Sequence, residues 1–427
     1  MNQRFLKYCH VLTLAFFVIS LANCSGGDND NPDSGGESVT NEFKTTRFSI
    51  ISLSAKTNVS ADALYNWTVE SVSSENYSLV NTTSKEALFA STAEGTYEFK
   101  VVITDKGTTQ TQKVTVIVTA ETKELKTFIS KVFEFKPAPG QFVNDLPVAN
   151  DGDSADRVLT RANSYLAKKN GDLISLGAFG GYVVFGFDHS IVNLKGKRDF
   201  RVLGNAFWAE ANPNQNAELR GGSSEAGVIM VSYDKNKNGL PDDEWYEIEG
   251  AGHKMEKTIR NYEITYYRPD PNKIPVPGGG TGTVTFTDLE YIYWKDNQGK
   301  DGYLAQNNAY NHSLEYWPKW LKDQASITFK GTRLPDNAVD ESGNGSYYVQ
   351  YAFLYGYADN APNNDDDSAI DIDWAIDSTG KKVQLPAIDF VKVYNGLNQQ
   401  AGWLGETSTE IMGATDLHLS GENIPTR

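Results

Sequence analysis

Apolar and polar positions alternate with a period of two along much of this 427-residue chain. Over residues 97–103, Tyr97, Phe99, Val101 and Ile103 fall on one face, with Glu98 and Lys100 on the other. Residues 65–70 repeat the pattern, with Tyr65, Trp67 and Val69 set against Asn66, Thr68 and Glu70. Alternation of this kind predicts strands with one buried face. Residues 113–118 add a final β-branched run, and turn residues fall between the runs, at Glu94-Gly95 and at Asp105-Lys106-Gly107. Short strands at this spacing predict a small immunoglobulin-like sandwich over residues 43–120.

A polar stretch over residues 121–130 then reads as a linker, and residues 131–427 as one large domain. A single helix pattern stands out in it. Ser154 or Asp153 can cap the start, Val158, Leu159, Ala162, Tyr165 and Leu166 recur at helical spacing, and Gly171 can end it. The later runs are rich in aromatic and β-branched residues, at 181–187, 227–233, 262–267, 347–353 and 388–394. They predict a β-sandwich of jelly-roll type. The expected class is therefore mainly β: an immunoglobulin-like sandwich followed by a large jelly-roll-like β-sandwich domain with one or two short helices.

The N-terminus breaks this pattern. Arg4 and Lys7 precede an apolar run over residues 11–21, too short for a membrane span of about 20 residues. Leu21-Ala22-Asn23-Cys24 resembles a lipobox, which implies a signal peptide over residues 1–23 and a lipid on Cys24. Residues 24–42 are rich in Gly, Ser, Asp and Asn and read as a flexible tether. The expected location is the outer membrane, lipid-anchored and facing the cell exterior, with the membrane as a partner only through that anchor. The one other cysteine, Cys9, lies in the signal, so the mature chain has no disulfide available. Net charge is −16, and cleavage would remove two basic residues and no acid. Such a balance argues against nucleic acid as a partner.

The sharpest chemical motif is Asp234-Lys-Asn-Lys-Asn-Gly-Leu-Pro-Asp242. Oxygen-bearing side chains at Asp234, Asn236, Asn238 and Asp242, with Gly239 for a tight turn, can converge on one point. The Leu240 carbonyl and Glu244 are further candidate ligands. Calcium takes six to eight oxygens in loose geometry, so a structural calcium is the expected cofactor. The run before the loop reads as a strand, and Trp245 occupies the position where an EF-hand needs Glu. A second acidic stretch, Asp359 to Asp377, reads as a solvated loop leading into a strand.

Seven of the eight tryptophans follow residue 131. Several aromatics sit in Asn- and Gly-rich segments that read as loops. Trp294, Tyr303, Tyr310, Trp317 and Trp320 are therefore candidates for a ligand surface. His189, His253, His312 and His418 show no metal-ligand spacing and read as turn or surface residues. Nucleophile elbows, zinc-protease motifs and phosphate-binding glycine loops are absent. The chain is expected to be non-catalytic.

Residues 65–67 and 95–105, with 115–118, resemble a PKD-type domain, which implies a spacer or adhesion module. Five further segments resemble the large domain of Bacteroidota cell-surface lipoproteins that pair a PKD-like module with it: residues 135–144, 180–188, 202–207, 330–336 and 402–409. Some such proteins lie beside outer-membrane cobalamin-uptake genes. The resemblance implies capture of a nutrient, a corrinoid first, with an outer-membrane transporter as partner. A glycan-binding or glycan-processing protein and a structural or adhesive protein are the alternatives. A glycan binder is expected to show an exposed aromatic strip, and a glycan-cleaving enzyme two facing carboxylates.

Overall fold

The computed structural model describes residues 40–209, 214 and 216–427. Cys24, the signal sequence and most of the tether lie outside the described residues. The alternation noted above closes the first core. Tyr97, Phe99, Val101 and Ile103 of strand Gly95–Asp105 are fully buried, and Trp67 packs with them. The Trp67 indole N–H donates to the Ser84 carbonyl at 2.8 Å, so burial leaves no orphaned donor. Lys106 and Gly107 both take positive φ, 49° and 83°, which a two-residue type I′ hairpin turn requires. Strand Thr40–Thr46 runs parallel to Thr108–Thr119 at the edge of a four-stranded sheet. A three-stranded sheet of Ile51–Ser54, Tyr77–Val80 and Glu86–Ser91 closes the immunoglobulin-like sandwich.

This sandwich packs directly onto the larger part of the chain. Phe48 is buried against Val192, Leu194 and Ala387, and its ring meets His189 edge-on at 5.5 Å. The Ser190 amide donates to the Phe48 carbonyl at 3.0 Å.

The larger part is built on an antiparallel sheet in the order Ala375–Ile376, Tyr246–Ile248, Gly227–Ser232, Ala387–Asn395, Tyr182–Val192, Lys131–Lys136, with Tyr357–Ala358 also paired to Gly227–Ser232. Its runs carry apolar residues at both parities because both faces are covered. Ile229 and Val231 pack with Val183, Phe185, Val391 and Val393 beneath Phe200, Val202 and Ile370 of a three-stranded sheet. Val228 and Tyr394 pack on the other side against Leu334, Phe353 and Tyr357. Each fully buried side chain of this size contributes about 2–3 kcal/mol of transfer free energy. The helix Ala155–Leu166 forms where its spacing predicts, capped by Ser154, whose hydroxyl accepts from the Arg157 amide at 3.3 Å. It buries Val158, Ala162 and Leu166.

A five-stranded sheet stands beside this core, with Ile259–Tyr267, Val284–Asp296, Asp301–Asn307 and Ser326–Arg333 as its long strands. Its inner face buries Tyr262, Ile264, Tyr266, Ile292, Leu304 and Phe329. Among the described residues the larger part spreads its strands over five sheets, a finer division than the two facing sheets of a jelly roll.

Candidate functional site

Three carboxylates, Glu225, Glu406 and Glu410, line one cavity of about 320 Å³, and a fourth, Asp359, lies against Glu225 and Glu410. Glu225 lies in the short link between strands Gly221–Ser223 and Gly227–Ser232, and Asp359 follows directly on strand Tyr357–Ala358. Glu410 opens strand Glu410–Ile411, opposite Ser175. One oxygen from each of these three lies within 4.8 Å of the others. Glu406 joins them from the turn after Gly402–Leu404.

Local geometry fixes each group. Asp359 holds φ of 50°, strained for a non-glycine residue. Its carboxylate accepts the amides of Asn205, Ala206 and Glu410, each at 2.9 Å. Glu225 accepts the Gln350 side-chain amide at 3.2 Å, and Glu410 accepts the Ser408 hydroxyl. Glu406 accepts the Gln141 backbone amide at 2.5 Å. The Gln141 side chain bridges Glu406 and His312. With its amide nitrogen turned to Glu406 Oε2 at 2.7 Å and Leu404 O at 3.0 Å, its oxygen faces His312 Nε2 at 3.3 Å. Gly405 makes room for this bridge. Its φ is 92°, and a Cβ there would lie 2.0 Å from the end of the Gln141 side-chain amide.

Burial is the main force on the charges. It pushes Glu225 and Asp359 well above the usual carboxylate range, and the neighbouring Glu410 charge pushes them further. Glu410 is also raised by burial, against the opposing pull of its Ser408 hydrogen bond. Glu406 is pushed up to about 8 by burial. Three crowded carboxylates cannot all ionise cheaply, so protons are retained here and the floor both donates and accepts hydrogen bonds.

The mouth is aromatic. Phe207 is exposed, and so is Tyr310, held at φ of 58° beside Asn311 at 51°. Tyr310 lies 6.3 Å from the Trp403 ring and 6.2 Å from Phe142. Burial, and then the Glu225 charge, raise the Tyr310 phenol, and Tyr310 lines the same cavity as Glu225. Acceptors, donors and a flat ring around a small hollow suit a polar ring-shaped ligand.

Of the sequence candidates, only Tyr310 lines this cavity. Tyr303 is 37% exposed on the five-stranded sheet. Trp317 is buried, its indole N–H donating to the Leu321 carbonyl at 3.0 Å. Trp294 packs on the core of that sheet beneath Gly302, and Trp320 stacks on Phe135 at 6.1 Å. The solvated reading of the Asp359 stretch is corrected at Asp359 and Asp371, which are 3% and 2% exposed. The surface reading of the histidines is corrected too. His189 bridges Asp188 and Asp416 at 3.0 and 2.9 Å, His253 meets Glu247 at 2.9 Å, and His418 meets Asp199 at 2.8 Å, all out of solvent.

The Asp234 segment forms a tight turn held by its own side chains. Asp234 accepts the amides of Asn238 and Gly239 at 3.0 and 2.8 Å, with Lys237 and Gly239 at positive φ. Asn236 and Asn238 turn their side-chain amides to Asp242 at 3.0 and 2.9 Å. The Oδ1 atoms of Asn236 and Asn238 accept the backbone amides of Asn238 and Leu240 at 3.0 and 2.8 Å, so these side chains face the loop's own backbone and Asp242. Glu244 is engaged elsewhere, accepting the Tyr246 hydroxyl at 2.9 Å.

No helix among the described residues is long and apolar enough to cross a membrane. No protein-family model and no curated protein matches the chain. Among solved structures, a PKD domain is similar at 23% identity, covering 23% of this chain and 96% of that one, with a TM-score of 0.17. A chimeric titin Z1Z2 is similar at 8% identity over 43% of this chain and 71% of that one, TM-score 0.15. A SusE-like protein is similar at 8% identity over 83% of this chain and 88% of that one, TM-score 0.19.

Proposed function

We propose that this chain is a lipid-anchored cell-surface protein that binds glycans without cleaving them, through the cavity lined by Glu225, Glu406 and Glu410. The observation that carries this reading is the crowding of Glu225, Asp359 and Glu410 within 4.8 Å of one another at a cavity that Tyr310 also lines, with Trp403 beside Tyr310. A sugar ring presents hydroxyls that both donate and accept, and a C–H face that stacks on an aromatic ring. The floor supplies the first need and the mouth the second. Glu225, Asp359 and Glu410 hold oxygens within 4.8 Å of one another, whereas hydrolysis needs two carboxyl groups set apart on either side of the scissile bond. That arrangement supports binding over cleavage. At about 320 Å³ the cavity lies near the lower end of small-ligand sites, a size for a sugar unit rather than a corrinoid macrocycle.

The test is isothermal titration of the purified protein with a glycan panel and with cobalamin. Binding of a neutral glycan, weakened by Glu225→Gln, is the expected result. Cobalamin binding with silence from every glycan would replace this reading with corrinoid capture.

A further inference from the structure

Three tyrosines form one row on the solvent face of the five-stranded sheet. Ser326 pairs with Tyr267, Tyr266 with Trp294, and Tyr293 with Tyr303. This register sets Ser326, Tyr267, Tyr293 and Tyr303 side by side across four strands. The rings of Tyr267 and Tyr293 are 5.6 Å apart at 32°, and those of Tyr293 and Tyr303 are 5.3 Å apart at 47°. Tyr267 and Tyr303 are 38% and 37% exposed, while the other face of these strands is buried. The next row is polar: Thr328, Thr265, Lys295 and Asp301. The positive and negative charges there offset each other, and the Tyr293 hydroxyl donates to Asp301 at 2.9 Å. Cross-strand aromatic pairs support a sheet, but a solvated face needs no run of three.

A run of contacts along the edge of the sheet links the row to Tyr310 at the cavity mouth. Strand Asp301–Asn307 carries Tyr303 at one end and Asn307 about 13 Å further on, at about 3.3 Å per residue. The segment from Gln400 to Trp403 runs beside it. Gln400 accepts the Ala305 amide and donates to the Tyr303 carbonyl, both at 2.9 Å, and Asn307 donates to the Trp403 carbonyl at 3.1 Å. Trp403 then meets Tyr310 at the mouth.

We infer that the Tyr267–Tyr293–Tyr303 row is a second carbohydrate contact, so that the ligand is an extended neutral glycan reaching from the cavity across the sheet. This rests on the glycan reading of the cavity. The tilted rings meet the apolar faces of successive sugars, and the Thr328–Asp301 row meets their hydroxyls.

The experiment titrates linear β-linked gluco-, manno- and xylo-oligosaccharides of two to six units into the protein. It repeats this with the Tyr267→Ala/Tyr293→Ala/Tyr303→Ala variant and with Tyr303→Ala alone. All three positions face solvent, and circular dichroism checks the fold. Affinity should rise about tenfold with length, a step of about 1.4 kcal/mol. The triple variant should lose that rise while binding short sugars normally, and Tyr303→Ala should lose part of it. Short-sugar binding with no length dependence, or a triple variant that follows the parent, overturns the row and leaves the cavity standing. Silence from every sugar overturns both.

Discussion

Replacing Glu406 by Gln should stabilise the protein at neutral pH, and the gain should vanish in acid. Burial raises this carboxyl from 4.5 to about 8 in the folded state. A group raised on folding favours the folded state most below its unfolded pKa, and that advantage is lost as pH climbs towards the folded value. At pH 7 the loss amounts to about 3 kcal/mol, and it approaches about 5 kcal/mol above pH 8, at 1.36 kcal/mol per unit. Gln keeps the shape and an oxygen to accept the Gln141 backbone amide, and it carries no proton to lose. Melting curves of parent and variant at pH 4.5, 6, 7 and 8 provide the assay. The two proteins should melt together at pH 4.5, and the variant should melt several degrees higher by pH 8. A variant that melts at or below the parent at pH 8, or an offset that ignores pH, would refute the reasoning.

Three further outcomes are expected. A calcium chelator should lower the melting temperature, and Asp242→Asn should remove most of that response; a melt indifferent to chelation contradicts calcium at the Asp234 loop. Phe48→Ala should cost about 3–5 kcal/mol, because Phe48 is the buried plug between the sandwich and the larger part. Protease cleavage between residues 119 and 131 should accelerate in that variant, and an unchanged digestion pattern would show that the two parts hold together without it. Trp67→Ala should cost a similar amount through loss of the sandwich core and of its bond to Ser84, read as a lower unfolding midpoint in urea; an unaltered midpoint would count against the core assignment.

The strands were legible because alternation is local. Tyr97 to Ile103 and residues 227–232 declare their faces within a few positions. The helix start was legible at Ser154, and a tight turn at Gly239 from the local run, since the side-chain bonds of Asp234, Asn236, Asn238 and Asp242 close within six residues, although the Asp234 amide reaches Asp389. The cavity was hidden because residues 225, 359 and 410 meet only through sheet topology. Asp359 was further masked by an Asp- and Asn-rich run, and only burial separates it from its neighbours. The histidines misled for the same reason: the Asp416 partner of His189 and the Asp199 partner of His418 lie more than 200 residues away. Among the aromatics, composition could not separate Trp317, buried with a partner for its indole, from Tyr310, which stands at the mouth.

The central claim is that a glycan enters the cavity under Tyr310. The most direct measurement is titration calorimetry of the best-binding panel glycan against the parent protein and Tyr310→Ala. Tyr310 is exposed, so its removal leaves the core intact. The account predicts that Tyr310→Ala weakens binding about tenfold or more, at about 1.4 kcal/mol per tenfold, with the melting temperature unchanged. Equal affinity in the two proteins would contradict it.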